Sequence, residues 1–126
     1  MPYLMRTKAR PNPDTLSQSE LTDLTRIFDT YGAEVMIHRQ PIGWDEIKEV
    51  ELVVAPTVGG LSTWVISLFV KVEDRYHLGI YLGRDEAVVA NISRQQVLYA
   101  LNAIAYYAPN PVRYTGPEGF APLTGY

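Results

Sequence analysis

Residues 76–92 read Tyr76-His77-Leu78-Gly79-Ile80-Tyr81-Leu82-Gly83-Arg84-Asp85-Glu86-Ala87-Val88-Val89-Ala90-Asn91-Ile92. Apolar side chains alternate with others from Tyr76 to Leu82, and Gly83-Arg84-Asp85 carries turn chemistry. Period two on both sides of a turn signal predicts two strands joined as a hairpin. Upstream, Thr63–Val72 is a third strand-like run, separated from Tyr76 by Glu73-Asp74-Arg75. Paired strands must agree about which face is buried. Three-residue loops at 73–75 and 83–85 meet that demand. They set Val72 opposite Tyr76, Val70 opposite Leu78 and Leu68 opposite Ile80. Across the second turn they set Ile80 opposite Val88, Leu78 opposite Ala90 and Tyr76 opposite Ile92. Two-residue loops would put Val72 opposite His77 or turn a whole face over.

Working outward, Ser17 with Glu20 three residues on is a capping box that opens a helix. Leu21, Leu24, Phe28 and Tyr31 follow at helical spacing as far as Gly32. Ala33–Arg39 alternates as a strand, and Val50, Leu52 and Val54 alternate as another, with a turn over Trp44–Lys48 between them. The last helix opens at Ser93, again with a capping-box residue, Gln96. Val97, Ala100, Leu101, Ile104 and Ala108 form its core stripe, and Pro109 and Pro111 stop it. The expected fold class is α+β. It is a two-layer, five-stranded, mainly antiparallel meander with an N-terminal and a C-terminal helix packed on one face. The expected organisation is an extended basic arm over 1–16, a single domain over 17–108 and a Pro/Gly-rich tail over 109–126 packed on the body.

The chain has 126 residues, 47% hydrophobic and 20% charged. Those values fit one globular domain and exclude disorder throughout. Eleven Lys and Arg against fourteen Asp and Glu give a net charge of −3, which weighs against duplex nucleic acid as a partner. The charge is uneven: Arg6, Lys8 and Arg10 fall within the first ten residues with no acid among them. The absence of cysteine excludes disulfides, thiolate catalysis and Cys-based zinc sites, and fits a cytoplasmic location. Pro2, Pro11 and Pro13 leave no apolar signal core, and no apolar run is long enough to span a bilayer, so no membrane association is expected.

The second face of the sheet is the richest in chemistry. Lys71, His77 and Asn91 align across three strands, with Tyr81 further along, and together make a candidate ligand-binding set. His77 offers a general base near neutral pH, Lys71 an anion contact and Tyr81 a donor. No carboxylate is placed to orient His77, so no catalytic residue is assigned. His38 and His77 lack ligand spacing, and Asp45, Glu46, Glu49 and Glu51 lack EF-hand spacing; no metal or cofactor is expected. Gly59-Gly60 leads into a strand and lacks the phosphate-loop pattern.

The last helix carries no charge from Gln95 to Ala108, and Gln95, Tyr99, Asn102 and Tyr106 line the side opposite its core stripe. Such a face suits a protein interface, and Phe69 is its counterpart on the sheet. The leading expectation is a non-enzymatic interaction or regulatory module that self-associates, as a homodimer, or binds a protein partner. One alternative is a small-molecule-binding domain or minor enzyme using the second sheet face. Another is a single-stranded nucleic-acid binder using the basic arm, with Phe69 or Tyr81 as stacking rings.

Overall fold

The structure is a computed structural model that describes residues 2–4, 7–31, 33–54, 75–117, 119–120 and 123–125. Helix α1 spans Gln18–Thr25 and opens with the expected capping box. Ser17 Oγ accepts from the Glu20 N–H at 3.2 Å, and Glu20 Oε1 accepts from the Ser17 N–H at 3.0 Å. The helix does not continue to Gly32. Phe28–Tyr31 is strand β2, paired antiparallel with β3, Glu34–Ile37. Phe28 is buried either way, so helical spacing could not separate the two conformations. Its aromatic ring and β-branched Thr30 favour a strand, and Tyr31 pairs with Glu34 at the end of the ladder.

The strand expected over 33–39 is also half of a hairpin. His38 and Arg39, with φ of 50° and 68°, turn β3 into β4, Gln40–Gly43. Two positive φ values in a two-residue loop match the right-handed twist of the flanking strands. Trp44–Glu46 makes one tight helical turn before β5, Glu49–Val54.

β5 pairs antiparallel with β6, Tyr76–Tyr81, setting Val50 opposite Ile80, Leu52 opposite Leu78 and Val54 opposite Tyr76. The other edge of β6 pairs with β7, Glu86–Ile92. β5 therefore holds the place expected for a 63–72 strand beside Tyr76–Leu82. Residues 63–72, with Phe69 and Lys71 among them, lie outside the described residues. On its far edge β5 runs parallel to β8, Arg113–Thr115. β8 pairs with β1, Pro2–Leu4, which pairs with β9, Leu123–Gly125. Among the described residues the result is a mixed six-stranded sheet ordered β7-β6-β5-β8-β1-β9 and a three-stranded sheet β2-β3-β4. The α+β content is as expected. The five-stranded antiparallel meander is not: both chain ends join the large sheet, and its β5–β8 joint is parallel.

The β6–β7 hairpin departs from the expected register. Tyr76 does face Ile92, but Leu78 faces Val89, Gly79 faces Val88, Ile80 faces Ala87 and Tyr81 faces Glu86. The Leu82 N–H donates to the Asp85 carbonyl at 2.8 Å, so the loop is the two-residue turn Gly83-Arg84, with Gly83 at φ +87°. The pairs at the two ends then differ by one residue. A β-bulge absorbs the difference, with Ala90 and Asn91 opposite His77. Asn91 sits at φ 58°, a conformation asparagine tolerates better than most residues. Val89 is consequently buried at 0% exposure and Val88 is 39% exposed, the reverse of the expected faces.

Helix α2, Arg94–Tyr107, buries Gln96, Val97, Ala100, Leu101, Ala103 and Ile104. Its apolar members join Leu24, Phe28, Val35, Ile37, Val50, Leu78, Ile80 and Val89 in one core cluster. The two helix N-termini are tied together. The Ser93 hydroxyl donates to Glu20 Oε2 at 2.5 Å, and Gln96 Nε2 donates to the Glu20 carbonyl at 2.8 Å. The far end of α2 is fixed by Tyr107, stacked on buried Trp44 with ring centroids 4.8 Å apart.

Candidate functional site

The outer face of β5–β6–β7 carries two of the four expected ligand-binding residues as direct partners. The bulge turns the Asn91 N–H toward His77, and it donates to His77 Nδ1 at 3.0 Å. Arg75, which the sequence marks only as a turn residue, completes the group. Its Nη2 donates to the Asn91 carbonyl at 2.9 Å and its Nε to Asn91 Oδ1 at 3.4 Å. Each of these bonds holds a backbone or side-chain group of the bulge. With Nδ1 accepting, the proton of neutral His77 lies on Nε2, so the nitrogen that would act as base on that side is already engaged.

Tyr81 lies in different surroundings. The Tyr81 ring lies beside Gly79 on the same face, where a Cβ built on the glycine would meet it at 3.7 Å, an ordinary contact distance. The Tyr81 phenol is pushed above its ordinary pKa, first by the negative charge of Glu51, then by burial, by Glu86, which it also hydrogen-bonds, and by Glu49. Three carboxylates around one phenol repel an anion. Tyr81, expected as a donor, therefore sits in acidic surroundings, and Lys71, the expected anion contact, lies outside the described residues. Arg113 offsets part of that charge, with Nε 3.7 Å from Glu49 Oε1 across the β5–β8 joint. Beside the carboxylates, Val53 on β5 and Val88 on β7 are 46% and 39% exposed.

The charge-free side of α2 is partly covered by this chain. Tyr99 is half-buried and hydrogen-bonds the Thr30 side chain of β2; burial pushes its phenol above the ordinary pKa. Asn102 Nδ2 donates to the Ala9 carbonyl at 3.2 Å, and the Thr7 N–H donates to the Ala105 carbonyl at 3.3 Å. The N-terminal segment thus crosses the helix on the side expected to be a protein interface. Gln95 stays exposed. Tyr106 lines an open cleft of about 710 Å³ with Thr7, Lys8 and Tyr107.

His38, set aside by the sequence reading, has a structural task. Its Nε2–H donates to the Val88 carbonyl at 2.6 Å, docking the β3–β4 turn on the edge strand β7. That bond helps hold a strained turn whose residues prefer negative φ. Arg39 of the same turn lines a shallow depression of about 280 Å³ with Thr25, Arg26, Asp29 and Met36. Among the described residues no three His, Asp or Glu side chains cluster as metal ligands, and no helix is long and apolar enough to cross a membrane. Comparison with protein-family models, with curated proteins and with solved structures finds no match to this chain.

Proposed function

We propose that the protein is a non-enzymatic interaction module that self-associates as a homodimer through the outer face of its larger sheet. The reading places both helices over the opposite face of that sheet, leaving this one for a partner, and assigns the module to the cytoplasm. The observation that carries it is the exposure of Val53 and Val88 on either side of His77 and Gly79. Large aliphatic side chains this exposed across neighbouring strands favour burial against another surface. The glycine between them keeps the strip shallow enough for an opposing sheet. A chain that pairs such a face with its own copy closes by two-fold symmetry, the commonest arrangement of soluble oligomers.

The hydrogen bonds of His77 support the same reading over an enzymatic one. Its ring stabilises the bulge that turns Val88 outward, which makes it a positioning residue for the surface. The reading moves the interface expected at Gln95, Tyr99, Asn102 and Tyr106 to the sheet, because Asn102 already bonds the N-terminal segment and Tyr99 already bonds β2.

Sedimentation of the wild-type chain and of Val53→Lys with Val88→Lys tests this. The wild type should sediment as a dimer, and the double variant as a folded monomer. A stable interface needs about 800 Å² per partner, so two lysine charges at its centre are enough to disrupt it. A wild-type chain that is monomeric at high micromolar concentration refutes self-association.

A further inference from the structure

The open cleft between the N-terminal segment and the end of α2 lies away from the sheet face, and its chemistry is different. Its described lining is Thr7, Lys8, Tyr106 and Tyr107. At about 710 Å³ it falls within the ~300–1,000 Å³ common for small-ligand sites. The rings of Tyr106 and Tyr107 stand 4.8 Å apart at 88°, making a corner. Tyr107 is fixed because its ring stacks on buried Trp44 at 4.8 Å and 17°. A corner of aromatic rings backed by the core is a preorganised platform for a flat ring.

The one charged side chain in the described lining is that of Lys8. That lining contains no Asp or Glu. Residues 1–13 hold no acid, and the first one along the chain, Asp14, is six residues from Lys8. The segment is held by backbone and amide bonds, Thr7 N–H to Ala105 and Ala9 carbonyl to Asn102, which leave the exposed Lys8 ammonium for a ligand. We infer that this cleft binds a nucleobase joined to phosphate, with the base on the Tyr106–Tyr107 corner and the phosphate at Lys8. Aromatic stacking beside a basic side chain is the sequence-tolerant mode of single-strand recognition. Thymidylate as a mononucleotide and as a single strand presents the same chemistry.

The test uses the full chain and does not depend on its oligomeric state. Binding of a labelled oligothymidylate of about ten nucleotides is measured by anisotropy, beside thymidine monophosphate and base-free polyphosphate. Oligothymidylate should bind, and Tyr106→Ala should weaken it about 5- to 150-fold, while Tyr106→Phe retains it. Lys8→Gln should lower the slope of log affinity against log salt by about 0.7. Should Tyr106→Ala fail to fold, Lys8→Glu at its exposed position must still weaken binding. Thymidine monophosphate binding as tightly as the oligomer assigns the site to mononucleotides, and a clear preference for the oligomer assigns it to single strands. Polyphosphate binding as well as oligothymidylate overturns the inference. So does an unchanged affinity in Tyr106→Ala, or no binding of either thymidylate at millimolar concentration.

Discussion

Glu20 joins the two helix starts, and replacing it tests how much of the domain's stability passes through that joint. Its Oε1 closes the α1 capping box on the Ser17 N–H, and its Oε2 takes the Ser93 hydroxyl at 2.5 Å. Ser93 is 5% exposed, so its hydroxyl has little water to turn to. A hydrogen bond to a charged group contributes about 1.5–3 kcal/mol when buried, and a helix N-terminal cap about 1 kcal/mol. Glu20 itself is partly solvated, which screens both contributions. Glu20→Ala should therefore cost about 2 kcal/mol, and Glu20→Gln about 1 kcal/mol because an uncharged oxygen still accepts. For a domain of this size 2 kcal/mol lowers Tm by roughly 8 °C.

The pH dependence has a definite sign. The Ser93 hydrogen bond, then the Ser17 backbone N–H, hold the Glu20 carboxyl below its ordinary 4.5. A carboxyl whose folded pKa is depressed stabilises the fold above its unfolded value, and the contribution is lost as pH falls through the folded value. The gap between wild type and Glu20→Gln should be full near neutral pH and close below 4.5. Urea titrations followed by circular dichroism at neutral and acid pH measure it. A Glu20→Ala cost under about 0.5 kcal/mol, or no coupling with Ser93→Ala in a double-mutant cycle, refutes the joint between the helices.

Other substitutions separate the faces and the turns. Leu78→Ala empties a fully buried site and should cost about 2–5 kcal/mol in urea unfolding. His77→Ala on the outer face should cost about 1 kcal/mol, the value of the Asn91 hydrogen bond it removes. Gly116, at φ +151°, would place a Cβ 2.8 Å from the Leu52 carbonyl oxygen, so Gly116→Ala should lose about 1–3 kcal/mol. Gly83→Ala has open space around it at φ +87° and should show only the left-handed penalty, about 1 kcal/mol, in the same titration.

Local chemistry was legible in the residues wherever it depends on near neighbours in the chain. The capping boxes at Ser17–Glu20 and Ser93–Gln96 are four-residue patterns, and both helices begin where those patterns say. The buried stripe of α2 and the inward row of Tyr76, Leu78 and Ile80 follow from periods of 3.6 and two, which the backbone geometry imposes. The outward placement of His77 and Tyr81 comes with them. Partner choice did not follow. A strand offers the same hydrogen bonds to any neighbour, and the pairing of β6 with β5, or of β5 with β8 in parallel, is decided by how the whole chain closes its core. The bulge at Asn91 shows the limit most clearly. One residue on φ 58°, held by His77 and Arg75, moves Val89 inside and Val88 out, and no two-residue period contains that shift. The same holds for the candidate sites: aromatics on α2 and a basic N-terminal segment are visible in the sequence, but only folding places Lys8 beside Tyr106. Contacts between residues far apart in sequence are set by the closure of the core, which local preference does not encode.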